Sequence, residues 1–162
     1  MLSLEAGESR LCSSPSLYIG SESEIVRFLA WHLDRFRAVP TERGRSPIVE
    51  EATEVETENT ILVFASFEKS DESNQAVIAE KASAEISTIA KNLKVSSIVL
   101  NPFAHLFADP SSPETAVSML KLVEASLMSN GFQVKRMAFG MFYELELKAK
   151  GHRYSRIARR IE

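Results

Sequence analysis

The fold is decided by residues 60–67, which read Thr60-Ile61-Leu62-Val63-Phe64-Ala65-Ser66-Phe67. A nearly continuous apolar run of this kind is typical of a strand that is covered on both faces. The next segment predicts a helix, because its apolar residues recur on one stripe: Val77, Ala82, Ile86, Ile89, Ala90 and Leu93. A second buried-type strand follows at residues 96–100. Together these segments predict a βαβ unit, whose crossover is normally right-handed.

Apolar segments on both sides extend this unit. Residues 25–32 predict another strand, and residues 112–130 predict a helix that ends at an Asn-Gly pair. Residues 132–135 and 141–149 alternate, which predicts strands with one face buried and the other in water. The chain is therefore expected to be an α/β domain with its sheet and helices in layers.

Three polar segments mark the expected boundaries. Residues 1–24 carry seven serines and little apolar periodicity, which predicts a mobile leader or extension. Residues 37–58 predict a long loop that can contain a short strand. Residues 153–162 predict a basic terminal helix or the start of a linker. The main domain is thus expected to span residues 25–152.

The modest net charge conceals a local excess of cations. The 162 residues include 19 Lys+Arg and 22 Asp+Glu, which gives a net charge of −3 and a pI of about 5.7. Taken alone, that balance argues against a nucleic-acid binder, since phosphate contacts need clustered cations. Residues 133–162, however, hold eight Lys+Arg against three acids, a net of +5 that leaves −8 for residues 1–132. This basic end could contact RNA or be a merely solvated face.

Cysteine content and hydropathy indicate the compartment. The single cysteine, Cys12, excludes an intramolecular disulfide and a cysteine-rich zinc site. A reducing compartment explains this most simply, so the cytoplasm is the expected location. The sequence has no run of about 18 apolar residues, and no membrane-spanning segment or membrane partner is expected.

Familiar chemical motifs are absent from the sequence, including phosphate-binding glycine loops, zinc-protease helices and nucleophile elbows. His32, His105 and His152 lack metal-ligand spacing, so neither a metal nor a cofactor is expected. All three lie at predicted strand ends, and open α/β sheets bind ligands at the carboxyl ends of their strands. Each histidine could equally be a hydrogen-bonded structural residue, Gly140 only a turn former, and Pro102 only the end of a strand.

Five segments stand out as a set. They are Arg27-Phe28-Leu29 with His32 and Asp34, Phe64-Ala65-Ser66-Phe67-Glu68-Lys69, Asn101-Pro102-Phe103-Ala104-His105-Leu106, Ala138-Phe139-Gly140 with the aromatic residues after it, and Lys150-Gly151-His152. In order and spacing they resemble motifs of the N-terminal editing domain of archaeal threonyl-tRNA synthetase. The resemblance extends from about residue 26 to residue 158, which is most of the chain.

The resemblance implies a layered fold like that of the D-aminoacyl-tRNA deacylases, usually as a homodimer. It also implies an activity, the hydrolysis of the 3′-terminal adenosine ester of serine wrongly attached to tRNA(Thr). Such editing is needed because one methyl group gives only about 1–3 kcal/mol of discrimination in a binding pocket. The implied partners are the tRNA(Thr) acceptor end carrying serine and a synthetase catalytic domain, in cis or in trans.

The chain departs from the family pattern at four positions. Tyr143 occupies the position of a family lysine, while Met141 and Phe142 occupy those of two tyrosines. Arg156 stands where the family has an acidic residue. A tyrosine hydroxyl can hydrogen-bond to substrate but supplies no cation near neutral pH. These departures favour a mechanism that relies on the substrate and the protein backbone.

In that mechanism the 2′-hydroxyl of the terminal adenosine helps to activate water, and backbone groups around Ala104, Phe139 and Gly140 hold the amino acid and the developing oxyanion. His105 is the side-chain candidate for holding the nucleotide or water, and Tyr143 would tune substrate contact. The expected catalytic set is His105, Tyr143, Ala104 and Gly140. The expected substrate-binding set is Pro102, Phe103, Phe139, Phe142, Phe67, His32 and His152.

Two alternatives stay open. The lost lysine and tyrosines are compatible with a catalytically silent module that binds tRNA or an amino acid. The shared fold is compatible with a deacylase that acts on D-amino acids. Release of serine alone from labelled seryl- and threonyl-tRNA separates editing from both.

Overall fold

The structure is a computed structural model that describes residues 26–106 and 109–161, without the side chains of Val26 and His105. The predicted leader and Cys12 lie outside the described residues. In chain order the elements are β1 (Val26–Arg43), β2 (Val55–Ser66), α1 (Gln75–Leu93), β3 (Ser97–Pro102), α2 (Pro113–Ser129), β4 (Gln133–Arg136), β5 (Met141–Ala149) and β6 (Arg156–Ile161). Short 3-10 helices cover Lys69–Ser73 and Ala104–Leu106.

These strands form one six-stranded sheet in the order β4-β3-β2-β1-β5, with β6 also paired to β1. The strands β2, β3 and β4 are parallel, while β1 runs antiparallel to β2. The strands β5 and β6 share one edge of β1, since β6 pairs with residues 26–31 and β5 with residues 33–43. The predicted βαβ unit is confirmed as β2, α1 and β3.

The central strand β2 is covered on both faces, as its apolar run predicts. Ile61 and Val63 belong to the hydrophobic cluster formed with α1 and α2. Leu62 packs into a second cluster on the other face, with Phe36 and Val99 among its members. Successive residues of a strand point to opposite faces, so a strand in which apolar and polar residues alternate could contribute to only one of the two clusters. The α/β prediction is confirmed.

Local sequence signals set the ends of both helices. The Ser112 hydroxyl caps α2 by accepting the Thr115 N–H at 3.2 Å, and Pro113 occupies the first turn. Gly131, with φ of 90°, follows the end of this helix as predicted. Lys94 ends α1 in the left-handed region. Within the part of the chain that the structure describes, no helix is both long and apolar enough to span a membrane.

The predicted loop at residues 37–58 is wrong in extent. The strand β1 continues to Arg43 and β2 begins at Val55. Polar side chains suit these strand ends because charges pair across them, as between Arg37 and Glu54 at 2.6 Å. As a further consequence, His32 lies in the middle of β1 and not at a strand end.

Two other expectations also need correction. The predicted terminal helix is wrong for the described residues 153–161, because Arg156–Ile161 pairs with the otherwise open edge of β1 as strand β6. The strand β5 does not have one fully buried face, since Leu145 and Leu147 are each 39% exposed. It lies at an edge of the sheet, where only β1 pairs with it.

Candidate functional site

Two adjoining cavities lie at the carboxyl ends of β2 and β3. The larger has a volume of about 800 Å³ and the smaller about 330 Å³. Their shared wall consists of Gly44, Arg45, Ser46, Pro102, Phe103, Ala104, Phe139 and Phe142. This location agrees with the rule that α/β sheets bind ligands beyond the carboxyl ends of their strands.

Most of the predicted site residues meet at these cavities. Phe67 lines the larger one, while Gly140 and Tyr143 line the smaller. The helix α2 contributes Ala116 and Leu120 to the larger cavity. The walls are therefore mainly apolar and aromatic with a few polar groups between them, which is the usual composition of a small-molecule site.

The turn at residues 138–140 is packed tightly against residues 44–50. A Cβ atom added to Gly140, whose φ is 78°, would lie 2.5 Å from the Ile48 carbonyl oxygen. The Gly44 N–H donates to the Gly140 carbonyl at 2.7 Å. Glycine is therefore required at position 140 both by the left-handed backbone and by the close approach of Ile48.

Glu50 bonds to both backbone groups of Phe139. Its own N–H donates to the Phe139 carbonyl at 3.0 Å, and its Oε2 accepts the Phe139 N–H at 3.0 Å. The same carboxylate pairs with Arg136, at 2.5 Å from Nη1 and 3.1 Å from Nη2. Burial would raise the pKa of Glu50, but the bonds from Arg136 and Phe139 outweigh burial and the pKa lies below its ordinary value.

These bonds narrow the expected set of substrate-binding backbone groups. The Phe139 N–H and C=O and the Gly140 C=O already have partners within the protein. None of these bonds uses the Gly140 N–H, so this donor is available to a substrate. Binding of substrate by the Phe139 backbone groups, as expected from the sequence, would require breaking the bonds to Glu50.

Tyr143 is tied to the same turn. Its hydroxyl oxygen accepts the Ala138 N–H at 2.9 Å, which leaves the hydroxyl proton for another acceptor. Burial raises the pKa of Tyr143 above its ordinary value, although the bond from Ala138 opposes the rise. The phenol is therefore neutral around pH 7 and can donate a hydrogen bond but cannot act as a base.

Aromatic rings connect the cavity wall to the position of Arg156. Phe103 contacts Phe64 edge to face at 5.8 Å between centroids, and Phe64 contacts Trp31 in the same way at 5.7 Å. The Arg156 guanidinium lies 5.5 Å from the centroid of the Trp31 ring. Arginine at this position therefore forms a cation–π contact with Trp31.

Two predicted binding residues, His32 and His152, line neither cavity. They bond to each other instead, with His32 Nδ1 3.0 Å from His152 Nε2. His32 Nε2 is 3.1 Å from Asn59 Oδ1. Burial lowers the pKa of His32, although the bond to Asn59 opposes this. These hydrogen bonds support a structural role for His32 and His152, which was one of the two interpretations of the sequence.

His105 belongs to the 3-10 helix Ala104–Leu106, whose first residue lines both cavities. The His105 side chain lies outside the described part of the structure, so its role stays a prediction. Among residues 26–106 and 109–161, no group of three or more histidine, cysteine or acidic side chains could hold a metal ion.

Much of the basic end is engaged within the chain. Arg159 pairs with Glu85 at 2.6 Å, and Lys150 pairs with Asp34 at 2.7 Å. Arg136 pairs with Glu50 as described above. The exposed cations at the cavities are Arg43 and Arg45, which both line the larger one. The sequence analysis missed Arg43, Arg45 and Glu50, because it assigned them to a polar loop with a run of glutamates. The charged side chains beside Gly44 were the signal that could have indicated a binding site there.

Comparison with known proteins agrees with the sequence motifs. Residues 26–161 match the family model described as the archaea-specific editing domain of threonyl-tRNA synthetase. Threonine–tRNA ligase of Methanopyrus kandleri is 40% identical over 141 residues, which cover 84% of this chain and 22% of that protein. The ligase of Methanocaldococcus jannaschii is 35% identical over 136 residues, covering 84% and 22%. That of Thermococcus gammatolerans is 37% identical over 119 residues, covering 74% and 19%. The chain thus spans about a fifth of the length of these relatives.

Proposed function

The chain belongs to the family of archaea-specific editing domains of threonyl-tRNA synthetase, and we propose that it hydrolyses the ester of L-serine mischarged onto tRNA(Thr). The observation that carries this proposal is the cavity wall in which Pro102, Phe103 and Ala104 meet the Phe139–Gly140 turn. Sequence segments that are far apart in the chain converge there beside cavities of about 330 and 800 Å³.

Steric exclusion accounts for the choice of serine. Phe139 is 9% exposed and Phe67 is 4% exposed, so both walls resist displacement by an added group. In the proposed complex, serine lies against these walls and the additional methyl group of threonine would collide with them. Because attraction alone discriminates one methyl group by only about 1–3 kcal/mol, exclusion from a second, hydrolytic site is the effective solution.

The chemistry that we propose uses backbone and substrate groups. Water attacks the ester carbonyl carbon with help from the 2′-hydroxyl of the terminal adenosine, and the leaving 3′-oxygen takes up a proton. The Gly140 N–H, together with the backbone of Ala104, stabilises the oxyanion; one such donor is worth about 3 kcal/mol. Tyr143 donates a hydrogen bond, and His105 holds the nucleotide or the attacking water.

The proposed partners follow from this substrate. Arg43 and Arg45 are exposed at the cavity and suit the phosphates of a tRNA acceptor end. A synthetase catalytic domain, in cis or in trans, would supply the mischarged tRNA, and the cytoplasm would be the location. A second copy of the chain could cover β5, whose edge exposes Phe142, Leu145 and Leu147.

A deacylation assay tests the proposal. The full chain is mixed with labelled seryl-tRNA(Thr) and threonyl-tRNA(Thr), and ester loss is followed over time. We expect release of serine and retention of threonine. Release of D- but not L-amino acids would assign a different deacylase activity. Binding without turnover would favour the alternative, a catalytically silent binding module. That alternative is suggested by Tyr143 and Arg156, which replace a lysine and an acidic residue of the family.

A further inference from the structure

An ion-pair network connects two elements that line the larger cavity, the helix α2 and the turn that contains Phe139. Arg136, at the end of β4, pairs with Glu50 through Nη1 and Nη2 and with Glu124 of α2 through Nε at 2.9 Å. The side chains of Arg136 and Glu50 are only 15% and 18% exposed. The helix that carries Glu124 also supplies Leu120 to the cavity, while Glu50 holds the Phe139–Gly140 turn.

The Glu50 carboxylate reaches the turn directly, whereas Glu124 reaches it only through Arg136. Oε2 of Glu50 accepts both the Phe139 N–H and an Arg136 N–H. Without that acceptor, the Phe139 N–H loses its partner, and the turn keeps its bonds from the Glu50 and Gly44 backbone N–H groups and the bond from the Ala138 N–H to Tyr143. The neighbouring Gly140 N–H is then held in its direction by fewer hydrogen bonds.

We propose that Glu50 is a positioning residue for the editing reaction: its carboxylate, fixed by Arg136, orients the Phe139–Gly140 turn and thereby the Gly140 N–H to which the proposed function assigns the oxyanion. This inference rests on the proposed function, because it assigns Gly140 its role there. A donor displaced by about 1 Å can lower a rate by about 100-fold. The loss falls on kcat, since the oxyanion forms only in the transition state.

Kinetics of three variants of the full chain test the proposal. We expect Glu50→Ala to lower kcat for release of serine by about 100-fold with KM little changed. Glu50→Gln keeps one acceptor oxygen and should lose only about tenfold. The matched control is Glu124→Gln, which removes the charge of the other acid that pairs with Arg136 and should stay within about twofold of wild type. Equal losses in Glu50→Ala and Glu124→Gln, or wild-type kcat in Glu50→Ala, would overturn the proposal.

Two further measurements, kcat of Glu50→Gln and amide NMR, keep the test decisive if a variant does not fold or if the proposed function is wrong. Should Glu50→Ala not fold, Glu50→Gln decides, and wild-type kcat in that variant contradicts the proposal. Should the wild-type chain release no serine, the proposed function fails while Glu50 can still be tested. In that case a shifted Gly140 amide signal and faster exchange of the Phe139 amide in Glu50→Gln, but not in Glu124→Gln, support its positioning role. Unchanged signals overturn it.

Discussion

The imidazoles of His32 and His152 are joined by a hydrogen bond of 3.0 Å between Nδ1 and Nε2. The Tyr154 N–H lies 3.3 Å from His152 Nδ1 and donates to it, so the Nε2 of His152 carries the proton and donates to His32. The Nε2–H of His32 in turn donates to Asn59 Oδ1. In this arrangement His32 Nδ1 accepts, and a proton on it would face the donor of His152.

Stability should therefore fall as the pH decreases. Burial lowers the pKa of His32 below its ordinary value of 6.5, so the unfolded chain binds this proton more readily than the folded one. The contribution of His32 is present above pH 6.5 and is lost as the pH falls toward the lowered pKa. Thermal unfolding between pH 8 and pH 5 should show a decreasing Tm.

The variant His32→Gln isolates this effect. It lacks the titrating ring but retains the neighbouring side chains of Asp34, Lys150 and His152. Its Tm should start lower than that of wild type at pH 8 and fall less by pH 5. An equal fall in both proteins would assign the pH dependence to other groups.

Gly140→Ala should destabilise the protein more than the same change at Gly131. Both glycines have positive φ, but Gly131 has no atom within 4 Å of an added Cβ, whereas Gly140 would meet Ile48. We expect a loss of about 1 kcal/mol for Gly131→Ala, from backbone strain. For Gly140→Ala we expect about 3 kcal/mol, because overpacking adds to that strain.

Urea unfolding measures both changes, and the m-value shows whether the transition stays two-state. Similar losses at the two glycines would mean that residues 44–50 move aside easily. That result would also weaken the assignment of a fixed turn to the cavity wall.

Tyr143→Phe should affect stability and catalysis separately. The change leaves the Ala138 N–H without its acceptor, at a cost of about 1–3 kcal/mol in the free energy of unfolding. Because the pKa of Tyr143 is raised, its removal should lower the deacylation rate without changing the shape of the pH–rate profile between pH 6 and pH 9. Chemical unfolding and single-turnover deacylation measure the two effects.

His105→Ala completes the comparison. If neither this variant nor Tyr143→Phe changes deacylation or tRNA binding, both proposed side-chain roles are wrong. Loss of a limb of the pH–rate profile in Tyr143→Phe alone would instead show that the phenol ionises in this range.

Binding of tRNA should depend on Arg43 and Arg45 more than on the basic end. Alanine at either position should weaken binding and lower the slope of log K against log salt by about 1. The matched control is Arg159→Ala, because Arg159 is already paired with Glu85. Filter binding at several salt concentrations checks this, and a larger loss of slope in Arg159→Ala than in Arg45→Ala contradicts it.

Periodicity was enough to predict the centre of the fold. The apolar run at residues 60–67, the stripe of α1 and the capped α2 each have a local signal, and the structure confirms them. Most of the predicted site residues also line the cavities, because several of their segments follow the carboxyl ends of the parallel strands, and those ends lie together.

Features that depend on distant partners could not be predicted from the sequence. The basic residues 156–161 form a strand only because β1 offers an edge to them. The charged end of β1 is exposed on a curled part of the sheet, so its pattern resembles a loop. Glu50 is one of several glutamates in its segment, and what distinguishes it is Arg136, 86 residues later in the chain.

The pairing of Val26 with Ile161 has a mechanical consequence. These residues are the first of β1 and the last of β6, so they occupy the same end of an antiparallel pair. A pulling force applied between them acts across the strands and breaks the hydrogen bonds one after another, as in unzipping, instead of loading all of them together in shear. Stretched from these two points, the domain should release β6 at low force, starting at the end of the sheet where Arg27 pairs with Ser66 of the cavity lining.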